Sequence, residues 1–254
     1  MRLDVYLTEK GYFNSRSQAL LAIKEKKVKV NNRIITKAGY IINENDSINI
    51  IKQQYSFVSR GGYKLLEAIT KFNLDLSDKV ILDIGASTGG FTDCCLQFGC
   101  KKVYAFDVGE NQLDKSIRDN NKVIVKEKIN CRYLTKNDIN DIVDFVVMDV
   151  SFISAGKMLN SISTILDENG KAVILFKPQF EVGKQYLNNS NIVNNDKIVL
   201  EKLNDFIKEA LRFDLYLIGF TASPIKGKEG NSEYLLYFNK GSLIDYIREV
   251  NVLC

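Results

Sequence analysis

The sequence contains no histidine in 254 residues. That absence removes Ser-His-Asp and Cys-His mechanisms and every histidine-ligated metal site. A general base must then be Lys, Asp, Glu, Tyr or Cys. The cysteines, Cys94, Cys95, Cys100, Cys131 and Cys254, are odd in number and form no C-x-x-C pair. Neither a disulfide framework nor a zinc site follows from such a set; Cys94 and Cys95 are expected to pack as small apolar residues on a helix. No apolar run approaches the roughly 20 residues that a membrane span needs. The start, Met1-Arg2-Leu3-Asp4, has no apolar stretch behind it and does not read as a secretory signal. The expectation is a soluble, cytosolic protein without a metal.

What is present supports a packed fold, since 45% of residues are apolar and 26% charged. The length suits a small domain followed by a medium one. Charge is unevenly spread: residues 1–60 hold 11 Lys and Arg against 5 Asp and Glu, and the remainder holds 24 against 26. A small basic module on a near-neutral body suggests a polyanionic partner, most simply nucleic acid.

Residues 1–51 read as an α+β module. Leu3, Tyr6 and Leu7 share a helical face, and Gly11 ends that helix. Ser15 with Gln18 three residues on is a capping-box pattern for a second helix. Its expected apolar face is Ala19, Leu20, Ala22 and Ile23. Val28 to Ile35 reads as a hairpin turning at Asn31-Asn32, because Asn tolerates a left-handed backbone. A last strand covers Ile48 to Ile51. Residues 52–59 read as a linker, and 60–254 as the second domain.

From Val80 onward strands and helices alternate, which argues a parallel sheet wrapped by helices. The expected strands are 80–84, 103–107, 123–125, 145–149, 172–176, 215–221 and 233–238. The connection between the last two is too short for a helix, so they should pair antiparallel. This seven-stranded Rossmann-like α/β order is the one expected of S-adenosylmethionine-dependent methyltransferases.

The strongest local feature is Leu82-Asp83-Ile84-Gly85-Ala86-Ser87-Thr88-Gly89-Gly90-Phe91. A buried strand runs into a glycine-rich turn and then a helix, so that backbone N–H groups can approach a ligand at the sheet edge. The run is neither G-x-G-x-x-G nor a phosphate loop ending in Gly-Lys-Ser/Thr, which weakens an NAD or ATP reading. It suits a nucleoside carrying an amino-acid tail, with Asp83 holding the tail's ammonium directly or through water. Asp107 lies at the end of the next strand, where a carboxylate would bind a ribose diol. Glu127 and Asn130, after the third strand, are placed to meet the adenine.

Four further polar residues mark element boundaries. Lys64 lies in the first turn of a helix opened by Ser59-Arg60-Gly61-Gly62, and Asp149 ends the strand before Ser151-Phe152. Lys177 ends the next strand before Pro178, and Glu233 opens the last strand. A ribose hydroxyl is a very weak acid, so its methylation needs a base and a stabiliser for the developing alkoxide. A lysine serves as base only if its pKa falls from about 10.4 toward neutrality. A second lysine, burial and a helix N-terminus push in that direction. Asp149 and Glu233 would orient the two ammonium groups.

With these residues in view the chain resembles a known family. Val58 to Leu65, Leu82 to Thr92, Asp149-Val150-Ser151-Phe152-Ile153-Ser154 and Lys177-Pro178-Gln179-Phe180-Glu181 are similar to the TlyA, or hemolysin A, proteins of the FtsJ/RrmJ-like ribose methyltransferases. Arg2-Leu3-Asp4, Ser15-Arg16 and Val28-x-Val30-Asn31 resemble the RNA-binding module named after ribosomal protein S-four. The resemblance implies the methyltransferase sheet, S-adenosylmethionine as cofactor, and cytidine 2′-hydroxyls of small-subunit, and in some members large-subunit, ribosomal RNA as substrate. It also implies a Lys64, Asp149, Lys177, Glu233 tetrad with Lys177 as base. The interdomain Arg-Ala-Trp-Val of some members is replaced here by Tyr55-Ser56-Phe57-Val58. Cofactor contacts are expected at Asp83, at residues 85–91, and at Asp107, Glu127, Asn130 and Asp149.

RNA is expected at Arg2, Ser15, Arg16, Lys24, Lys26, Lys27, Lys29, Arg33 and Arg60, with Lys226 and Lys228 on a flexible basic loop before Glu233. Cationic contacts of this kind grip phosphates and position RNA without reading it. Three rival functions are weaker. A membrane-active hemolysin would need an amphipathic or apolar segment and an export signal. A non-catalytic assembly factor would not keep the whole tetrad. A base methyltransferase would show Asn-Pro-Pro-Tyr or a catalytic cysteine after the fourth strand, where Asp149-Val150-Ser151-Phe152 stands.

Overall fold

The computed structural model describes residues 1–13, 15–24, 26–43, 45–51 and 55–241. Cys254, the linker residues 52–54 and the end of the expected second domain from residue 242 lie outside the described residues. The chain divides into two compact units, Met1–Ser56 and the chain from Phe57 onward. Phe57 packs into the core of the second unit, so the last part of the expected linker is built into that fold.

The first unit holds helices α1 (Leu3–Glu9) and α2 (Arg16–Lys24) and strands β1 (Val28–Val30), β2 (Arg33–Ile34) and β3 (Ile48–Ile50). The strands form an antiparallel sheet in the order β2-β1-β3. The Ser15 hydroxyl caps α2 by accepting the Gln18 N–H at 3.3 Å. Asn31 and Asn32 both have left-handed φ, 49° and 62°, the conformation that a two-residue hairpin turn requires. Leu3, Leu7, Ala19, Ala22, Ile23, Val28 and Val30 make the core. Leu20 is not part of it and stands exposed: at 100° per residue it turns away from the face that Ala19, Ala22 and Ile23 share.

The second unit contains α3 (Gly61–Phe72), β4 (Val80–Ile84), α4 (Gly90–Gln97), β5 (Lys102–Phe106), α5 (Lys115–Arg118) and β6 (Val123–Lys126). It continues with β7 (Val143–Met148), α6 (Leu159–Ile165), β8 (Leu166–Phe176), α7 (Asp196–Leu211), β9 (Leu215–Ala222) and β10 (Tyr234–Lys240). Its seven strands are ordered β6-β5-β4-β7-β8-β10-β9. β4 to β8 run parallel, and β10 is antiparallel to both its neighbours. One expected crossover differs: β6 and β7 are joined by two single-turn 3-10 segments, Cys131–Tyr133 and Lys136–Asp138, rather than an α-helix.

Alternate residues of the central strands feed two cores. Leu82, Ile84, Val146 and Met148 pack on one face with Leu159 of α6 and Phe206 of α7. Ile81, Phe145 and Val147 pack on the other with Leu65 of α3 and Cys94 and Cys95 of α4. Burial on both faces explains why these strands read as continuous apolar runs. The strand order reverses between β4 and β7, with Ile84 paired to Met148. The segments leaving these strands therefore emerge side by side, at the switch point where open α/β sheets bind ligands.

Candidate active site

The glycine-rich loop after β4 is held tightly from behind. The N–H groups of Gly85 and Ala86 both donate to the Phe106 carbonyl, at 2.8 and 3.2 Å. Gly85 has φ +83°, and a Cβ there would lie 2.6 Å from the Asp149 carbonyl oxygen. The loop after β4 and the residue after β7 thus touch backbone to backbone, which only glycine permits. At Gly90 a Cβ would lie 2.2 Å from Ser59 Oγ and 2.9 Å from the Gly62 nitrogen. The N-termini of α3 and α4 are packed together at that point. Gly89, at φ +93°, precedes α4, and a Cβ on it would press on Leu113.

Two cavities open at this edge. One, of about 470 Å³, is lined by Asp107, Val108, Gln112, Ile129, Asn130 and Met158, among others. The other, of about 450 Å³, is lined by Lys64, Lys177, Glu233, Arg60, Lys226 and Lys228, with Ala86, Thr88, Gly90 and Phe91 of the loop. Gly85, Ser87, Asp149, Ser151 and Phe152 line both. The two chambers therefore meet at Asp149.

In the first chamber Asp107 accepts the Ser87 N–H at 2.8 Å and the Gly109 N–H at 2.7 Å, one on each oxygen. Each oxygen keeps a further lone pair, enough to accept a diol. Asn130 caps the turn at Cys131 by accepting the Arg132 N–H at 3.2 Å. Glu127 departs from expectation. It accepts the Asn111 N–H at 2.9 Å, pairs with Arg118, and lines neither chamber. Both bonds fall on Oε1, and the carboxylate stands outside the two chambers. Asp83 lies fully buried beneath the loop. The Thr92 hydroxyl donates to its Oδ2 at 2.6 Å, whereas Oδ1 has no hydrogen-bond partner among the described residues. Burial pushes this carboxyl up to about 7, against the Thr92 hydrogen bond and with nearby Asp149 adding to the rise.

In the second chamber the four boundary residues come together. Lys64 Nζ lies 2.6 Å from Glu233 Oε2 and 3.9 Å from Asp149 Oδ2. Lys177 Nζ forms an ion pair with Asp149 Oδ1 and donates to Ser151 Oγ at 2.8 Å. The result is an alternating chain, Glu233–Lys64–Asp149–Lys177, with both lysines and Glu233 buried. Charge balance and mutual hydrogen bonding permit such burial. Burial also raises the thiols of Cys94, Cys95, Cys100 and Cys131 above their ordinary value. Four of the five cysteines are thereby removed from the candidate bases.

Residues 57–240 match the FtsJ-like methyltransferase family, and residues 1–48 match the S4 domain. The chain belongs to the FtsJ-like methyltransferases. It is similar to hemolysin A of Brachyspira hyodysenteriae, 41% identical over 239 residues, 94% of this chain and 99% of that protein. It is 34% identical to the 16S/23S rRNA (cytidine-2′-O)-methyltransferase TlyA of Mycobacterium tuberculosis over 237 residues, 93% of this chain and 88% of that one. A solved structure of a candidate hemolysin from Streptococcus thermophilus matches with a TM-score of 0.72 at 36% identity, covering 100% of this chain and 94% of that chain. Among the described residues no helix is long and apolar enough to cross a membrane.

In this FtsJ-like methyltransferase the cationic residues expected to hold RNA fall into three groups. Arg60, Lys226 and Lys228 line the tetrad chamber. Lys226 and Lys228 lie on a loop pinned by Asn231, which accepts the Val193 N–H and donates to the Asn191 carbonyl, both at 2.9 Å. Lys24, Lys26 and Arg33 are exposed on the first unit, and Lys27 and Lys29 half-buried. Arg2 and Arg16 are committed inside that unit: both bind the fully buried Asp4, Arg2 Nε at 3.0 Å and Arg16 at 2.7 Å. Those bonds, Arg2's first, hold the Asp4 carboxyl down at about 2 against its burial. About half of each arginine side chain stays exposed. Ser15 is a helix cap.

Three residues were not singled out from the sequence. Ser151 receives the Lys177 hydrogen bond. Phe152, at φ 64° and 91% exposed, lies between the chambers with its ring 5.4 Å from that of Phe180. Gln179 lines the tetrad chamber. All three lie in the runs Asp149-Val150-Ser151-Phe152 and Lys177-Pro178-Gln179-Phe180, so position beside a catalytic residue was the available signal.

Proposed function

We propose that this chain transfers a methyl group from S-adenosylmethionine to the 2′-hydroxyl of a cytidine in ribosomal RNA. The observation that carries the reading is the ion-pair chain Glu233–Lys64–Asp149–Lys177 at the meeting point of two chambers. The cofactor, when bound, supplies an electrophilic methyl on a sulfonium. The residues present fit it. Asp107 offers acceptors for a ribose, Asn130 keeps its Nδ2 as a donor to a base because Arg132 takes its Oδ1, and Val108, Ile129 and Met158 offer apolar cover. The buried, unpartnered Oδ1 of Asp83 suits a cationic tail above it, reached directly or through the loop.

On the substrate side Lys177 is the base. In its neutral form its Nζ takes the proton of the hydroxyl and becomes the ammonium that Asp149 and Ser151 hold in place. Lys64, held by Glu233, stabilises the alkoxide as it develops. Such stabilisation by fixed charge is strong where water is excluded. Asp149 touches both chambers, so one side chain aligns hydroxyl and methyl. The exposed lysines of the S4 domain grip phosphate, and Arg60, Lys226 and Lys228 hold the backbone near the displaced nucleotide, as RNA recognition commonly requires. The partner is a ribosomal subunit in the cytosol. The small subunit is the first candidate and the large subunit the second, in line with the double name of the mycobacterial relative.

The test is methyl transfer from labelled cofactor to purified subunits by wild type and Lys177→Ala. Loss of about 100- to 10,000-fold in rate is expected, with cofactor affinity retained. Equal rates would remove Lys177 as the base.

A further inference from the structure

We propose that Gln179 reads the exocyclic amino group of the target base and so sets the choice of cytidine over uridine. The inference rests on the reaction proposed above and adds a residue that determines specificity. β8 ends at Phe176, and after Lys177 the chain makes one 3-10 turn, Pro178–Phe180, with proline at its start. Lys177 and Gln179 are thereby both delivered to the tetrad chamber. The tetrad members there are paired with one another: Lys64 with Glu233, and Lys177 with Asp149, with Ser151 as a further acceptor. Gln179 differs. Only 8% of it is exposed, and its Oε1 is buried with no hydrogen-bond partner among the described residues.

A buried amide oxygen left unpaired has given up its hydrogen bonds to water with nothing in return. It is explained if a donor arrives with the substrate. Three donors would enter this edge of the sheet: the cofactor's ammonium, the ribose 2′-hydroxyl and an amino group on the base. Gln179 lines only the tetrad chamber and not the one beside Asp107 and Asn130, which sets it apart from the cofactor. The 2′-hydroxyl must give its proton to Lys177. The amino group of the base remains. Cytosine presents an N4 amino donor where uracil presents an O4 acceptor, and an acceptor facing O4 would repel it. A site built to accept a hydrogen bond rejects the analogue that lacks the donor.

The test compares methylation of reconstituted subunits carrying C or U at the mapped target position, by wild type, Gln179→Leu and Gln179→Glu. Wild type should prefer C. Gln179→Leu should lower the rate on C by about 10- to 100-fold and keep or raise the slow rate on U, since the acceptor facing O4 is gone, so that the C:U ratio collapses. Gln179→Glu has only acceptors and cannot turn over to offer a donor, so it should keep or raise the ratio. Cofactor binding measured by calorimetry should be equal in all three, which separates misfolding from lost reading. A structural role would lower C and U together; an unchanged C:U ratio in Gln179→Leu overturns the inference and leaves the ribose reaction standing. If wild type methylates no ribose in either substrate, the reaction and the inference both fall.

Discussion

Asp83 is a carboxyl that the fold shields completely from water while leaving one oxygen unpaired. Its pKa is raised from 3.8 to about 7, chiefly by burial. The folded chain therefore holds this proton more tightly than the unfolded chain does. The stabilisation is complete below about pH 4 and is lost as pH rises toward about 7. Asp83→Asn should remove that slope, by up to about 4 kcal/mol across the window, and denaturant unfolding from pH 4 to 7 checks it. A slope as steep in the variant as in wild type would contradict the burial argument. Within the tetrad, Glu233→Gln keeps shape but removes the charge opposite Lys64. The expected effect is a fall in turnover of about 10-fold or more with unchanged cofactor affinity; an equal fall in both would mean that Glu233 serves packing.

Residue identity was legible where chemistry coincides with an element boundary. Lys64, Asp149, Lys177 and Glu233 each stand at one, and all four meet in one chamber. Glu127 stands after a strand too, but pairs with Arg118 outside both chambers. Pairing across nine residues of turn and strand leaves no trace in spacing.

At the scale of elements, the junction of the loop after β4 with the residue after β7 is the tightest constraint. Gly85→Ala would need left-handed φ and would drive a Cβ toward the Asp149 carbonyl. Calorimetry should show cofactor affinity weakened by about 10-fold or more, since the left-handed backbone alone costs roughly 1–2 kcal/mol. Retained affinity would mean that the loop and Asp149 move apart at no cost. The strands were readable because burial on both faces makes them apolar throughout. The β6–β7 connection was not, because single 3-10 turns carry no helical period. Leu20 was misplaced for the related reason that one helical turn of pattern cannot fix which face is buried.

At the scale of the whole molecule, the chain joins a basic RNA-binding unit to a near-neutral catalytic one. The Arg2–Asp4–Arg16 cluster holds α1 to α2 inside the first unit. Asp4, lowered from 3.8 to about 2, contributes stability above about pH 4 that is lost as pH falls toward 2, the opposite sense to Asp83. Reversing Lys24, Lys26, Lys27 and Lys29 to Glu should weaken RNA binding and flatten its dependence on salt, by a little under one unit of log-log slope per lost phosphate contact. An unchanged slope would show that these lysines do not touch phosphate.

Ribose chemistry carried out by a lysine, in a chain without histidine, can be tested at its product. The most direct measurement digests subunits methylated with labelled cofactor to nucleosides and identifies the labelled product by mass. Wild type should yield 2′-O-methylcytidine and Lys177→Ala none. Label on a cytosine ring, or 2′-O-methylcytidine formed equally by the variant, would contradict lysine-based ribose chemistry.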